Sequence, residues 1–316
     1  MTAATLPEHN NSAYATGVAL VLVAGCFWSV AGLIVRLIES ASEWHILFFR
    51  SLALIVALLS FIAIRNRGRV LQAFEAAGPK SILAGVFLGT AFASWIFGMT
   101  HTTIANALFV LSASPFMAAI LAHLVLGERV SLTTWLCMAG AVVGILVMVG
   151  EGFLVGTLMG NLFALGAAFG FACFTVILRS GKTVDMTPSV CWAGVWGATL
   201  AAFMTGLDNI PLEISTHDLL LCSLLGFVQV GLGLIMFTIG SRHVPAGELA
   251  LLSLTEVVLG PIWVWIGVGE VPSRYTLLGG AIVLGAICVQ AASGMRPKRP
   301  GSSELQTPVN KAHERP

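Results

Sequence analysis

Ten apolar runs, broken by short polar stretches, organise the chain: residues 17–37, 44–64, 81–100, 104–125, 133–150, 157–178, 187–206, 218–239, 247–266 and 275–293. Each is about as long as a helix needs to be to cross the hydrocarbon layer of a bilayer. None shows the strict alternation of a half-buried strand, so the pattern predicts an all-α membrane protein with ten transmembrane helices. The polar breaks are too short to hold a soluble domain. The first run is as long as a spanning helix and lacks a small-residue cleavage site after a basic leader, so it reads as the first span. Residues 1–16 are expected to form a cytosolic segment, and residues 294–316, with four prolines and little apolar content, a disordered cytosolic tail.

Composition agrees: 57% hydrophobic against 10% charged residues is the balance of a polytopic membrane chain. The few basic residues set the orientation. With the N-terminus in the cytosol, the inner breaks carry Arg65, Arg67, Arg69, Lys80, Arg129, Arg179, Lys182 and Arg242, and the outer breaks only Arg36 and Arg274. Both termini are then cytosolic and the inner cell membrane is the expected site. A net charge of +1 gives no reason to expect nucleic acid, and Arg296-Pro297-Lys298-Arg299 reads as an anchor beside anionic lipid of the bilayer. The six cysteines all lie in apolar runs without a CxxC and read as packing residues.

The chain also matches itself. At an offset of 142, Gly98, His101, Gly127, Glu128 and Ser131 correspond to Gly240, His243, Gly269, Glu270 and Ser273, and at 143 Gly17, Ile34 and Arg36 correspond to Gly160, Ile177 and Arg179. Residues 17–150 and 156–293 are therefore expected to be two copies of one five-helix unit. Because five is odd, the second copy must be inverted, and the two face a shared central cavity.

A carboxylate interrupts the ninth run. Glu256 lies near the hydrocarbon midplane, where an ionised group costs roughly 2.5 to 3.5 kcal/mol even on lenient scales. Gly260 and Pro261 follow it, and Pro261 removes a backbone donor, so a helix break is expected there. Glu256 is a candidate substrate-cation partner or proton carrier; the plainer reading is a carboxyl satisfied by Thr255 or a neighbouring hydroxyl.

The helix ends Gly127-Glu128-Arg129-Val130-Ser131 and Gly269-Glu270-Val271-Pro272-Ser273, with Ser112-Ala113-Ser114-Pro115 and Ser253-Leu254-Thr255-Glu256, resemble the two EamA repeats of the drug/metabolite transporter superfamily. The resemblance covers residues 17–293. It implies two inverted five-helix repeats, with spans 1 to 4 and 6 to 9 around a cavity and spans 5 and 10 outside, and it says nothing of the substrate.

The other candidates are polar groups inside apolar runs. Arg50, two turns into the second span, suits an anionic group or Glu256, or else braces carbonyls. Asn106, Ser112, Ser114 and the helix-breaking Pro115 mirror the Glu256 region, although small hydroxyl residues more often serve close helix packing. The proline breaks of the two copies sit about one turn apart, which predicts a cavity asymmetric in detail. Gln229 is a candidate hydrogen bonder, and Trp95 with Phe92 a candidate aromatic wall. Glu248 reads as stabilising a helix N-terminus, and Asp185, Asp208 and Asp218 as loop residues.

No catalytic motif, metal-binding spacing or cofactor motif is present; Ser180-Gly181-Lys182-Thr183 lacks the preceding strand and first glycine of a phosphate loop. The expected function is a secondary transporter of small organic metabolites, with export the expected direction and protons a candidate coupling ion. The alternatives are a broad exporter of lipophilic cations and a non-transporting sensor or assembly partner. The oligomeric state is left open.

Overall fold

Apolar side chains cover the outside of this protein as well as its interior. Ile64, Leu71, Leu124, Leu132, Leu158 and Ile266 are among many large aliphatic residues that are mostly exposed, an arrangement stable only against lipid. The computed structural model describes residues 9–101, 107, 110–149, 158–207, 213–269 and 273–294.

The described residues form helices α1 (His9–Ser29), α2 (Ala31–Arg36), α3 (Glu43–Arg65), α4 (Val70–His101), α5 (Ser114–Leu126), α6 (Leu132–Val149), α7 (Leu158–Ser180) and α8 (Thr187–Leu207). Then follow α9 (Thr216–Leu224), which continues through a π-helical stretch, Leu225–Leu232, into α10 (Gly233–Gly240), and α11 (Ala246–Ser253), α12 (Thr255–Val268) and α13 (Arg274–Gly294). Eight helices or joined helix pairs among these residues are long and apolar enough to cross a membrane, and Ser114–Leu126 and Leu132–Met148 are shorter apolar helices. The chain is thus an integral membrane protein. The first half of the expected fourth span, with Asn106, and the C-terminal tail lie outside the described residues. The first span begins earlier than expected, at Ser12, because the helix continues back through polar residues to His9.

Helix ends follow local chemistry. Ser42 and His45 form a capping box at the start of α3, with the Ser42 N–H donating to His45 Nδ1 at 3.2 Å. Gly127 and Gly269 close α5 and α12 in the left-handed conformation, at φ 67° and 77°. Ser131 Oγ accepts from the Thr134 N–H at 3.1 Å, and Ser273 Oγ from the Thr276 N–H at 3.2 Å. These pairs stand 142 residues apart in sequence.

The interruptions in the expected fourth and ninth spans correspond more closely than their prolines suggest. α12 runs through Pro261, and the break falls earlier, at Leu254. There Leu254 N–H donates to Leu251 O and Val257 N–H to Leu254 O, while the hydroxyls of Ser253 and Thr255 bond Ala250 O and Leu252 O. Hydroxyl back-bonding and tightened i to i−3 bonds bend the chain here without the proline. In the fourth span the turn is at Ser112 and Ala113, with Pro115 in the first turn of α5. Adding 142 to Ser112 gives Leu254, so the two breaks coincide instead of lying a turn apart.

Close helix approach comes from small residues. α4 packs on α7 and α8, α3 on α8 and on the π-helical stretch, α1 on α10 and α12, and α6 on α13. Gly226 lets the π-helical stretch lie against the backbone of α3: a Cβ there would meet Arg50 O and the Ala53 side chain. Gly226→Ala is therefore expected to cost about 1 to 3 kcal/mol, since a backbone atom has to move. Gly285→Ala, where a Cβ meets nothing within 4 Å, should hold or raise stability. Thermal midpoints of the two variants in detergent check this; equal midpoints would show that the α3 contact tolerates displacement.

The two ends of the bundle differ. At the end bearing the arginines, Arg179 Nε donates to Glu128 Oε1 at 2.8 Å and Arg179 Nη1 to Arg242 O at 2.8 Å. Arg242 and Arg65 both reach Asp185, at 3.3 and 3.7 Å. Asp185 also caps α8 by accepting from the N–H and hydroxyl of Thr187. Loops and helix ends from both halves of the chain are thereby tied into one layer. At the opposite end the buried Asp218 accepts from the N–H groups of Glu39, Ser40 and Ala41 and the Ser40 hydroxyl, which fixes the α2–α3 connection onto α9.

Candidate functional site

Between the helices, away from the arginine layer, lies a cavity of about 520 Å³. Its lining comes from α1, α2, α3, α4, α5, α7, the π-helical stretch with α10, and α11 with α12; α6 contributes nothing and α13 only Thr276 in its first turn. This volume is in the range of small-molecule sites.

The wall is largely apolar and aromatic. Trp28, at the α1–α2 junction, packs edge-on against Phe171 with centroids 6.0 Å apart and tilted against Phe237 at 5.3 Å. Phe92 and Trp95 of α4 complete the aromatic surface. Polar groups are few and placed at helix irregularities. Gln229, on the π-helical stretch, donates through Nε2 to Trp28 O at 3.3 Å. Ser29 accepts at Oγ from Trp263 Nε1 at 2.8 Å, and Ser114 opens α5 on the cavity side.

Among the described residues the charged ones that line this cavity are Arg50 and Glu256, and no direct ion pair joins them. Arg50 is buried on α3. Its Cζ stands 4.7 Å from the Phe92 centroid, and its Nη2 has no hydrogen-bond partner. A cation over an aromatic face gains up to about 2 kcal/mol, which does not replace the hydrogen bond that the buried Nη2 lacks. Glu256 is half-buried in the first turn of α12, where the helix dipole favours a carboxylate by about 0.3 to 2 kcal/mol. That offsets only part of the cost of a charge at this depth. Among the described residues nothing donates a hydrogen bond to it.

The structure thus brings Glu256, Arg50, Trp95, Gln229, Ser114, Gly260 and Pro261 onto one wall. It leaves Thr255, Ser112 and Pro115 off it. Thr255 turns toward α1, its Cβ packed where a Cβ on Gly25 would lie, and its hydroxyl is spent on Leu252 O. Ser112 and Pro115 are buried behind the wall. Ser29 and Phe171 line the cavity as well, beside Trp28 and Ser253, and the sequence does not mark them, because an apolar run gives an aromatic residue the same setting on either face. Glu248 accepts from Tyr14 at 2.8 Å, across to α1, so it ties two helices as well as opening α11.

The EamA-like transporter family model matches the chain twice, over residues 15–150 and 158–291. Similar proteins include the uncharacterized transporter YdfC of Bacillus subtilis, 27% identical over 79% of this chain and 82% of that one. Human solute carrier family 35 member G1 is 27% identical over 91% and 82%, and the pseudopaline exporter CntI of Pseudomonas aeruginosa 25% over 85% and 93%. A solved crystal structure at 16% identity superposes with a TM-score of 0.75 over 92% of this chain and 99% of that one, the same fold.

Proposed function

Because the chain belongs to the EamA-like transporter family, we propose that it is a secondary transporter exporting small organic metabolites by alternating access. The observation that carries this reading is the cavity at the two span interruptions, with an unpaired cation and an unpaired carboxylate on its wall. Discontinuous helices around such a site give two half-structures something to rock against. In this reading ten spans form two inverted five-helix repeats, residues 17–150 and 156–293. The support is the offset of 142 shared by the interruptions, the left-handed glycine ends and the Ser–Thr caps.

In this reading the protein lies in the inner membrane with both termini in the cytosol; the excess of arginine and lysine at one end supports that orientation. The cavity then faces outward, and the Arg179 layer is the closed inner gate. Energy comes from the substrate gradient or from protons, with Glu256 the proton site. A carboxylate that binds either a proton or a substrate amine, but not both, couples the two fluxes in opposite directions.

The test is flux in proteoliposomes. Glu256→Gln is expected to abolish uptake or efflux driven by a pH gradient while leaving solute exchange in part. Equal loss of both would remove the coupling role. Transport of many unrelated lipophilic cations would favour instead a broad cation exporter that uses Glu256 and the aromatic wall.

A further inference from the structure

We propose that the cavity selects zwitterions: solutes with an anionic group held by Arg50 and an amine held by Glu256. The inference rests on the transport reading of the same cavity and adds to it the class of solute.

The two charges are of opposite sign, come from different helices, α3 and α12, and leave each other unpaired. Had they formed an ion pair, the wall would be neutral and would favour an uncharged solute. Instead the guanidinium keeps a buried N–H group without an acceptor, and the ring of Phe92 covers its face. Arg50 still lines the cavity, and the part of its guanidinium that reaches the wall offers positive charge and N–H donors to a carboxylate or phosphate oxygen. A simple cation on Glu256 would leave Arg50 without an anion and bring a second positive charge into the cavity. A simple anion on Arg50 would meet the carboxylate of Glu256. A solute of both signs satisfies both groups, and its uncharged body lies against Trp28, Phe92, Trp95 and Phe171. Gly226 supports this geometry, because it holds the α3 backbone at Arg50 against the π-helical stretch that carries Gln229.

The experiment is a titration of the purified full-length protein in detergent with ε-aminocaproate and phenylalanine as zwitterions, and caproate and hexylamine as their single-charge counterparts. The thermal midpoint is the readout. At least one zwitterion is expected to bind about tenfold or more tightly than either single-charge compound. Arg50→Gln should remove its advantage over hexylamine, and Glu256→Gln its advantage over caproate. Arg50→Lys, which keeps the positive charge, should restore part of the affinity and guards against a folding defect.

Hexylamine binding the parent as well as the zwitterions would overturn the proposal. So would an unchanged preference in a folded Arg50→Gln protein, or no binding by any zwitterion. Counterflow in proteoliposomes separates the two readings. Zwitterion binding without counterflow would sink transport and keep the selectivity, whereas counterflow of hexylamine without zwitterion binding would do the reverse.

Discussion

Arg179→Ala is expected to open the arginine end of the bundle and move solvent access of the cavity to that side. Arg179 is largely buried and makes two charge-assisted bonds of 2.8 Å, to Glu128 and to the carbonyl of Arg242, one from each half of the chain. Such bonds are worth about 1.5 to 3 kcal/mol each in favourable settings, and their loss strands the Glu128 carboxylate. The Arg65–Asp185 pair, at 3.7 Å and more exposed, belongs to the class worth 0 to about 1 kcal/mol. The weight of the proposed gate therefore falls on Arg179. If these contacts exist only while that end is closed, losing about 3 kcal/mol shifts the ratio of the two states on the order of a hundredfold. Ser253→Cys, on the cavity wall, reports the change through a membrane-impermeant thiol reagent. It should react from the far side in the parent and from the arginine side in the Arg179→Ala background. Arg179→Lys should fall between, because a lysine cannot hold both acceptors in one fork. A lowered thermal midpoint with unchanged sidedness would make the layer a structural brace and not a gate.

The apolar helices, and the two charged residues that line the cavity, are legible in the sequence because each is a local contrast: an apolar run of bilayer length, or a polar residue inside one. The sequence pattern misplaces the break in the ninth span because proline is the loud signal and serine and threonine the quiet ones. Pro261 is accommodated inside α12, while the back-bonding hydroxyls of Ser253 and Thr255 flank the turn at Leu254. Asp185 does lie in a loop and Asp218 in the first turn of α9, but the bonds both make are invisible in the sequence for another reason. The groups that use them, Ser40 and Arg242, are far away in the chain, and only the fold brings them together. The aromatic wall was the least legible part. In lipid a helix need not show a polar face, so Trp95 on the cavity and Trp265 on the outside carry the same sequence pattern.

That wall can be tested at Trp28, whose truncation should have the largest effect on stability of any cavity residue. Trp28 is 7% exposed, contacts Phe171 and Phe237, and fills the space left by Gly233, where a Cβ would meet its indole ring. Its carbonyl also receives Gln229, so the side chain and backbone at this point fasten α1 to the π-helical stretch. Trp28→Ala is expected to cost about 3 to 5 kcal/mol, the range for truncating a large buried aromatic. Trp28→Phe keeps a ring against Phe171 and Phe237 and should cost less than about 1.5 kcal/mol. The new void would open into the existing cavity, so a bulky solute can fill it. Thermal midpoints should then drop sharply for Trp28→Ala without ligand and recover in part with phenylalanine, more than with the slimmer ε-aminocaproate. A midpoint unchanged by the truncation would mean that Trp28 is not packed between Phe171 and Phe237 in the membrane-embedded protein. A drop recovered equally by both solutes would place the bound body elsewhere on the wall, toward Phe92 and Trp95.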